Sequence, residues 1–234
     1  MKTILGLAFS VAAALVLAVF ETAPAQEPVP SDATLFPKDA VILFQGDSIT
    51  DGNRGRNDDP NHIHGHGYVY LIASCLGANF PERNWTFVNR GVSGDTVNTL
   101  LERWQQDTID IHPDVLSIMI GCNDFWGHHT PEEFEEGYDR LLKWTRKALP
   151  NVRLILMEPF WSDERGNELA EKMRAVVRKM AERYDAVFVP LQDGFDKYLD
   201  QGPDHYWIWD KVHPTTAGHW IIFRQWLDAV RHAE

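Results

Sequence analysis

The chain has 234 residues, 24% of them charged and 44% in the broad hydrophobic class, with 16 Gly and 13 Pro, a profile that excludes disorder, collagen and coiled coil and fits an ordinary globular domain. Lys and Arg total 22 against 34 Asp and Glu, for a formal charge of -12, the wrong sign for a nucleic-acid partner. Two cysteines are too few for a disulfide framework, and nine Trp are more than a core of this size requires, which points to rings on the surface.

Lys2 precedes an apolar run over residues 4–20, followed by Ala23, Pro24 and Ala25, small residues at the two positions a signal peptidase inspects. Residues 1–25 therefore read as a cleaved secretory signal, leaving a secreted or periplasmic protein with no stable membrane association. The rival reading, an uncleaved anchor, rests on a run that approaches the roughly 20 residues of a membrane span. No Cys beside the cleavage site suggests a lipoprotein. Residues 26–37 form a Pro-rich tether, and residues 38–234 suffice for one core without staples, with no repeat or shift in composition to mark a second domain.

Short β-branched or aromatic runs at 41–44, 85–89, 115–120, 152–157 and 186–189, each bounded by Gly, Pro or Asn/Asp, predict five buried strands. Between and after them, residues 68–76, 97–109, 132–149, 167–184 and 216–230 carry the 3.6-residue period of helices. The third helix has a marked start: Thr130 as cap, Pro131 at the first helical position, Glu133 completing a capping box. Strand followed by helix five times implies an α/β fold, a parallel sheet covered on both faces.

Ligands of such sheets bind beyond the carboxyl ends of the strands, and the residues that follow the runs are polar and ordered. The first run leads into Gly46-Asp47-Ser48-Ile49-Thr50, the second into Asn89-Arg90-Gly91-Val92-Ser93-Gly94, the third into Gly121-Cys122-Asn123-Asp124, and Asp210-Lys211-Val212-His213-Pro214 stands before the last helix. Acyl transfer needs a nucleophile, a base, a group that orients the base, and donors for an oxyanion. Ser48 is expected to attack, His213 to take and return its proton, and Asp210 to hold the imidazole. The Ser48 and Gly91 backbone N–H groups and the Asn123 amide are the expected oxyanion hole. Asp47 and Asp124 read as loop braces, and Ser93 as a turn serine.

These blocks resemble, in order, those of the SGNH hydrolases, also called GDSL esterases. The resemblance spans residues 41 to about 218 and implies a flavodoxin-like three-layer αβα sandwich with a five-stranded parallel sheet. It also implies an enzyme that works without a metal or an organic cofactor. The Gly-x-Ser-x-Gly elbow of α/β-hydrolases is absent. A narrower resemblance, to the bacterial acetylxylan esterases of this family, lies in Gly65-His66-Gly67-Tyr68-Val69, Arg103-Trp104-x-x-Asp107, residues 113–121 and Trp209-Asp210-x-Val212-His213-Pro214. It implies removal of O-acetyl groups from a plant cell-wall carbohydrate, acetylated xylan or its oligosaccharides, through an acyl-enzyme. Rhamnogalacturonan and sialate acetylesterases and short-chain or lysophospholipid esterases share the catalytic blocks, so those substrates remain alternatives. A non-catalytic glycan-binding protein on the same fold conflicts with the complete Ser48, His213, Asp210 and Asn123 set.

The loop after Ser48 departs from the family pattern. His62, His64 and His66 alternate, so an extended segment could present them to a metal, while the Gly and Asn around them favour a polar loop. His66, Trp126, Trp161, Trp207 and Trp209 are expected substrate contacts, positions where rings stack on sugars, with core packing as the rival for the tryptophans. Cys75 and Cys122 read either as a disulfide or as two buried thiols. A homo-oligomer is compatible with all of this.

Overall fold

The computed structural model of the chain describes residues 35–163 and 166–233. The expected leader at 1–25, and the tether as far as residue 34, lie outside the described residues. Five strands, β1 (Val41–Gly46), β2 (Thr86–Asn89), β3 (Val115–Met119), β4 (Arg153–Met157) and β5 (Val187–Val189), form one all-parallel sheet in the order β2-β1-β3-β4-β5. All of β3 and nearly all of β1 and β4 are buried, which is why their sequences run apolar without alternation.

Helices α2 (Tyr68–Asn79) and α9 (Thr216–His232) cover one face with α7 (Leu191–Leu199), and α3 (Val97–Asp107), α5 (Pro131–Ala148) and α6 (Glu168–Arg183) cover the other. Capping decides where several of them begin. The box predicted at Thr130 and Glu133 opens α5, Thr96 and Thr99 form a second at α3, and the Asn167 side chain caps α6. Buried aromatics fill both layers. Trp104 donates its indole N–H to Thr145 at 3.0 Å, and Trp226 donates to Ser117 on β3 at 3.1 Å, so neither ring leaves its polar edge unpaired.

Four α-helices among the described residues were not expected: the short α1 (Ser48–Asp51), α4 (Cys122–Trp126) and α8 (Asp204–Trp207), and the longer α7. Pro190 and Gly194 disguise α7 as a loop. A Cβ at Gly194 would meet the Gln225 side chain of α9 at 2.5 Å, so the glycine is there for helix packing. Among the described residues, no helix is long and apolar enough to cross a membrane.

The strand order reverses between β1 and β3, which opens the crevice where doubly wound sheets bind ligands. Register aligns the two strand ends, Gly46 opposite Met119. The segments that carry Ser48 and Asn123 therefore leave adjacent strands at the same rim.

Candidate active site

β1 hands directly into α1. Asp47 caps that helix by accepting the Ile49 N–H at 3.0 Å, and Ser48 is its first residue. Ser48 Oγ lies 2.8 Å from His213 Nε2, and His213 Nδ1 lies 2.6 Å from Asp210 Oδ2. The other Asp210 oxygen accepts the His213 and Val212 backbone N–H groups at 2.7 and 3.2 Å, so the turn wraps around its own carboxylate. Partial burial pushes the Asp210 carboxyl upward, and these bonds with the His213 charge outweigh it, holding the group below its ordinary value. An ionised Asp210 accepts a hydrogen bond from Nδ1–H and so keeps the proton on that nitrogen, which leaves Nε2 free to accept from the Ser48 hydroxyl.

A cavity of about 270 Å³ opens over these groups, lined by Ser48, His66, Ser93, Trp209, His213 and His219 among others. The Trp209 ring is inclined by 30° to the His213 imidazole, centroids 6.4 Å apart, and is 65% exposed.

Of the three expected oxyanion donors, one is overturned. The Gly91 N–H donates to Asn89 Oδ1 at 2.9 Å, and a Cβ at Gly91 would meet the Asp51 nitrogen at 2.3 Å. That glycine lets the chain pass close behind α1, and its amide is already engaged. Three residues on, Gly94 sits at φ +89 in a turn closed by Asp95 N–H donating to Val92 O at 3.2 Å. Open space surrounds its Cα, and its N–H has no partner among the described residues. Asn123 Nδ2 donates one hydrogen to Asp95 O at 2.9 Å, which brings the amide against this turn and leaves its second hydrogen available. Ser48, as first residue of α1, keeps the unpaired N–H of a helix start.

The model of the GDSL-like lipase/acylhydrolase family matches residues 44–221. The chain belongs to this family. An acetylxylan esterase of Geobacillus stearothermophilus is 36% identical over 204 residues, 80% of this chain and 91% of the relative. A solved structure of that bacterium's acetylxylan esterase superposes with a TM-score of 0.76 over 83% of this chain and 95% of its own, at 33% identity. A GDSL-like lipase from Parabacteroides merdae gives 0.80 at 38% identity over 84% of this chain and 97% of its own. The protein is thus a carboxylic ester hydrolase with the three-layer fold of the GDSL/SGNH acylhydrolases.

The remaining expected site residues of this acylhydrolase separate by burial. His66 and Trp209 reach the cavity. Trp161 does not: it is fully buried, its ring 4.7 Å from that of Phe125 with the Arg174 guanidinium over it. Its expected sugar contact is corrected to core packing, because a buried face has no room for a ligand. Trp207 packs against Tyr198 with a sealed indole N–H, and Trp126 is 43% exposed on α4. Neither lines the cavity. The alternating histidines diverge: His62 pairs with Asp59 at 3.0 Å, His64 is half-buried, and His66 faces the cavity. Among the described residues, no three His, Cys, Asp or Glu side chains gather to hold a metal. Cys75 and Cys122 are both free thiols, which removes the disulfide alternative.

Buried acids brace the rim. Asp124 accepts the Val97 N–H with both oxygens, at 3.1 and 3.2 Å, fixing the start of α3 to α4. Asp51, unremarked in the sequence, accepts from Arg56 at 2.7 and 3.1 Å and from the Ser93 amide and hydroxyl at 3.1 and 3.2 Å. Ser93 is committed to that bond. Asp51 thereby ties α1 to the turn that carries Gly94.

Proposed function

We propose that the enzyme is an exported serine esterase that removes O-acetyl groups from a plant cell-wall glycan, acetylated xylan or its oligosaccharides. The observation that carries the chemistry is the hydrogen-bonded series Ser48, His213, Asp210, at 2.8 and 2.6 Å. His213 Nε2 takes the hydroxyl proton as Ser48 Oγ attacks the acetyl carbonyl. The oxyanion is held by the Ser48 and Gly94 N–H groups and the Asn123 amide. His213 then gives its proton to the departing sugar hydroxyl, leaving an acetyl-serine that water, deprotonated by the same histidine, hydrolyses to acetate.

Support for the substrate comes from the 36% identity to an acetylxylan esterase over most of both chains. A small cavity bordered by an exposed Trp209 suits a short acyl group beside a sugar ring. The apolar run at 4–20 ahead of Ala23-Pro24-Ala25 supports export.

The test is acetate release from acetylated xylan by residues 26–234 and by the Ser48→Ala variant, with both shown to be folded. Release by the parent that falls to background in the variant supports both the nucleophile and the substrate. Hydrolysis of simple acetyl esters without release from xylan would keep the nucleophile and overturn the glycan.

A further inference from the structure

His219 stands one turn into α9, and the hydrogen bonds described above give it no part in the chemistry. Its Nδ1 accepts the Tyr68 backbone N–H at 3.2 Å. Tyr68 opens α2, whose cap residue Gly67 has no side chain to offer, so this bond supplies the missing cap. The cap explains Nδ1 and leaves Nε2 without a role.

An accepting Nδ1 carries no proton, so in the neutral ring the proton resides on Nε2. Burial, with His66 and His213 nearby, lowers the His219 pKa to about 4, so at neutral pH the group is a donor without charge. The ring is 7% exposed and packs against Gly67, where a Cβ would come within 2.9 Å of His219 Cε1. Nε2 has no partner among the described residues and is not sealed off, on a wall of the cavity that Ser48 and His213 share. A directed donor fixed on the wall of the nucleophile's cavity can pair with an acceptor on a ligand that enters there.

We infer that His219 Nε2–H contacts the alcohol half of the ester, donating to a hydroxyl or ring oxygen of the sugar and so selecting hydroxyl-bearing leaving groups. This rests on Ser48 being the nucleophile. The carbonyl oxygen is taken by the oxyanion donors and the acetyl methyl accepts nothing, so the remaining acceptors are on the alcohol. His213, which in this reading protonates the leaving oxygen, lines the same cavity as His219.

The two amides separate the two nitrogens. His219→Asn keeps an acceptor near the Nδ1 position and deletes Nε2; His219→Gln places an amide near Nε2 and abandons the cap. Each is assayed on two pairs, acetylated xylo-oligosaccharide against 4-nitrophenyl acetate, and glycerol monoacetate against ethyl acetate. The Asn variant is expected to lose about tenfold in kcat/KM on the hydroxyl-bearing member of each pair, consistent with one neutral hydrogen bond, and to stay within about twofold on the other. The Gln variant is expected to keep the ratios and melt earlier. Unchanged ratios in the Asn variant, or equal losses on both members, overturn the assignment. If the wild type ignores the xylo-oligosaccharide but cleaves both small esters, the xylan reading fails and the glycerol pair still decides His219. A readout free of substitution at 219 is the imidazole ¹⁵N–H resonance of His219 in the Ser48→Ala protein. It is expected to shift with glycerol monoacetate, and a resonance unmoved at saturation overturns the contact.

Discussion

The Asn123 side chain donates to the Asp95 backbone carbonyl at 2.9 Å, and that bond fastens the segment after β3 to the turn after β2. It positions two of the proposed oxyanion donors, the second Asn123 hydrogen and the Gly94 N–H. Asn123→Ala removes one donor and loosens the other, so kcat on 4-nitrophenyl acetate is expected to fall at least 100-fold, the usual loss for a single donor. Gly94→Ala meets no clash but forces a side chain to φ +89, so it should cost roughly 1–2 kcal/mol of stability. Its kcat should fall as well. Full activity in the Asn123→Ala enzyme would remove that residue from the site.

Asp210→Asn replaces the acceptor at His213 Nδ1 with an amide that can donate there. The wrong imidazole tautomer then faces Ser48, and kcat should drop by about 10⁴-fold with little change in Tm. A drop of only a few fold would show that Asp210 is dispensable for orienting the base.

Asp47 is buried, and one of its oxygens has no partner. Burial raises its pKa from 3.8 to about 7. The folded protein therefore holds a proton that the unfolded chain has already released, and stability from this group is lost as pH rises from about 4 to about 7. Asp47→Asn keeps an acceptor for Ile49 and has no such titration. The variant should gain on the wild type across that window, by an amount on the order of a few kcal/mol. Urea unfolding of both proteins at several pH values measures the difference, and a constant gap would refute it.

Trp161 and Trp209 should behave as opposites. Trp161→Ala empties a filled part of the core and should cost about 3–5 kcal/mol, lowering Tm and all activities together. Trp209→Ala, at a 65% exposed ring, should leave Tm within a degree or two and raise KM for acetylated xylo-oligosaccharides more than for 4-nitrophenyl acetate. Thermal melts and paired kinetics separate the two.

The strands were legible because β-branched runs were punctuated by Gly, Pro and Asn, and α5 because its capping box is local. Trp161 and Trp209 could not be told apart, since both occupy irregular segments near strand ends and burial is decided by what packs over them. Gly91 and Gly94 differ only in what their amides meet. One local signal was available: Asn89 two residues before Gly91 is the spacing at which an Asn side chain captures a backbone N–H. His219 left no such trace, because its partner Tyr68 is 151 residues away.

Ser48 and His213 are separated by 165 residues, one at the end of the first strand and the other just ahead of the last helix. A chain still emerging from the ribosome carries the proposed nucleophile long before the proposed base. During synthesis the pair can therefore come together only after His213 has followed Ser48 out of the ribosome, near the end of the chain.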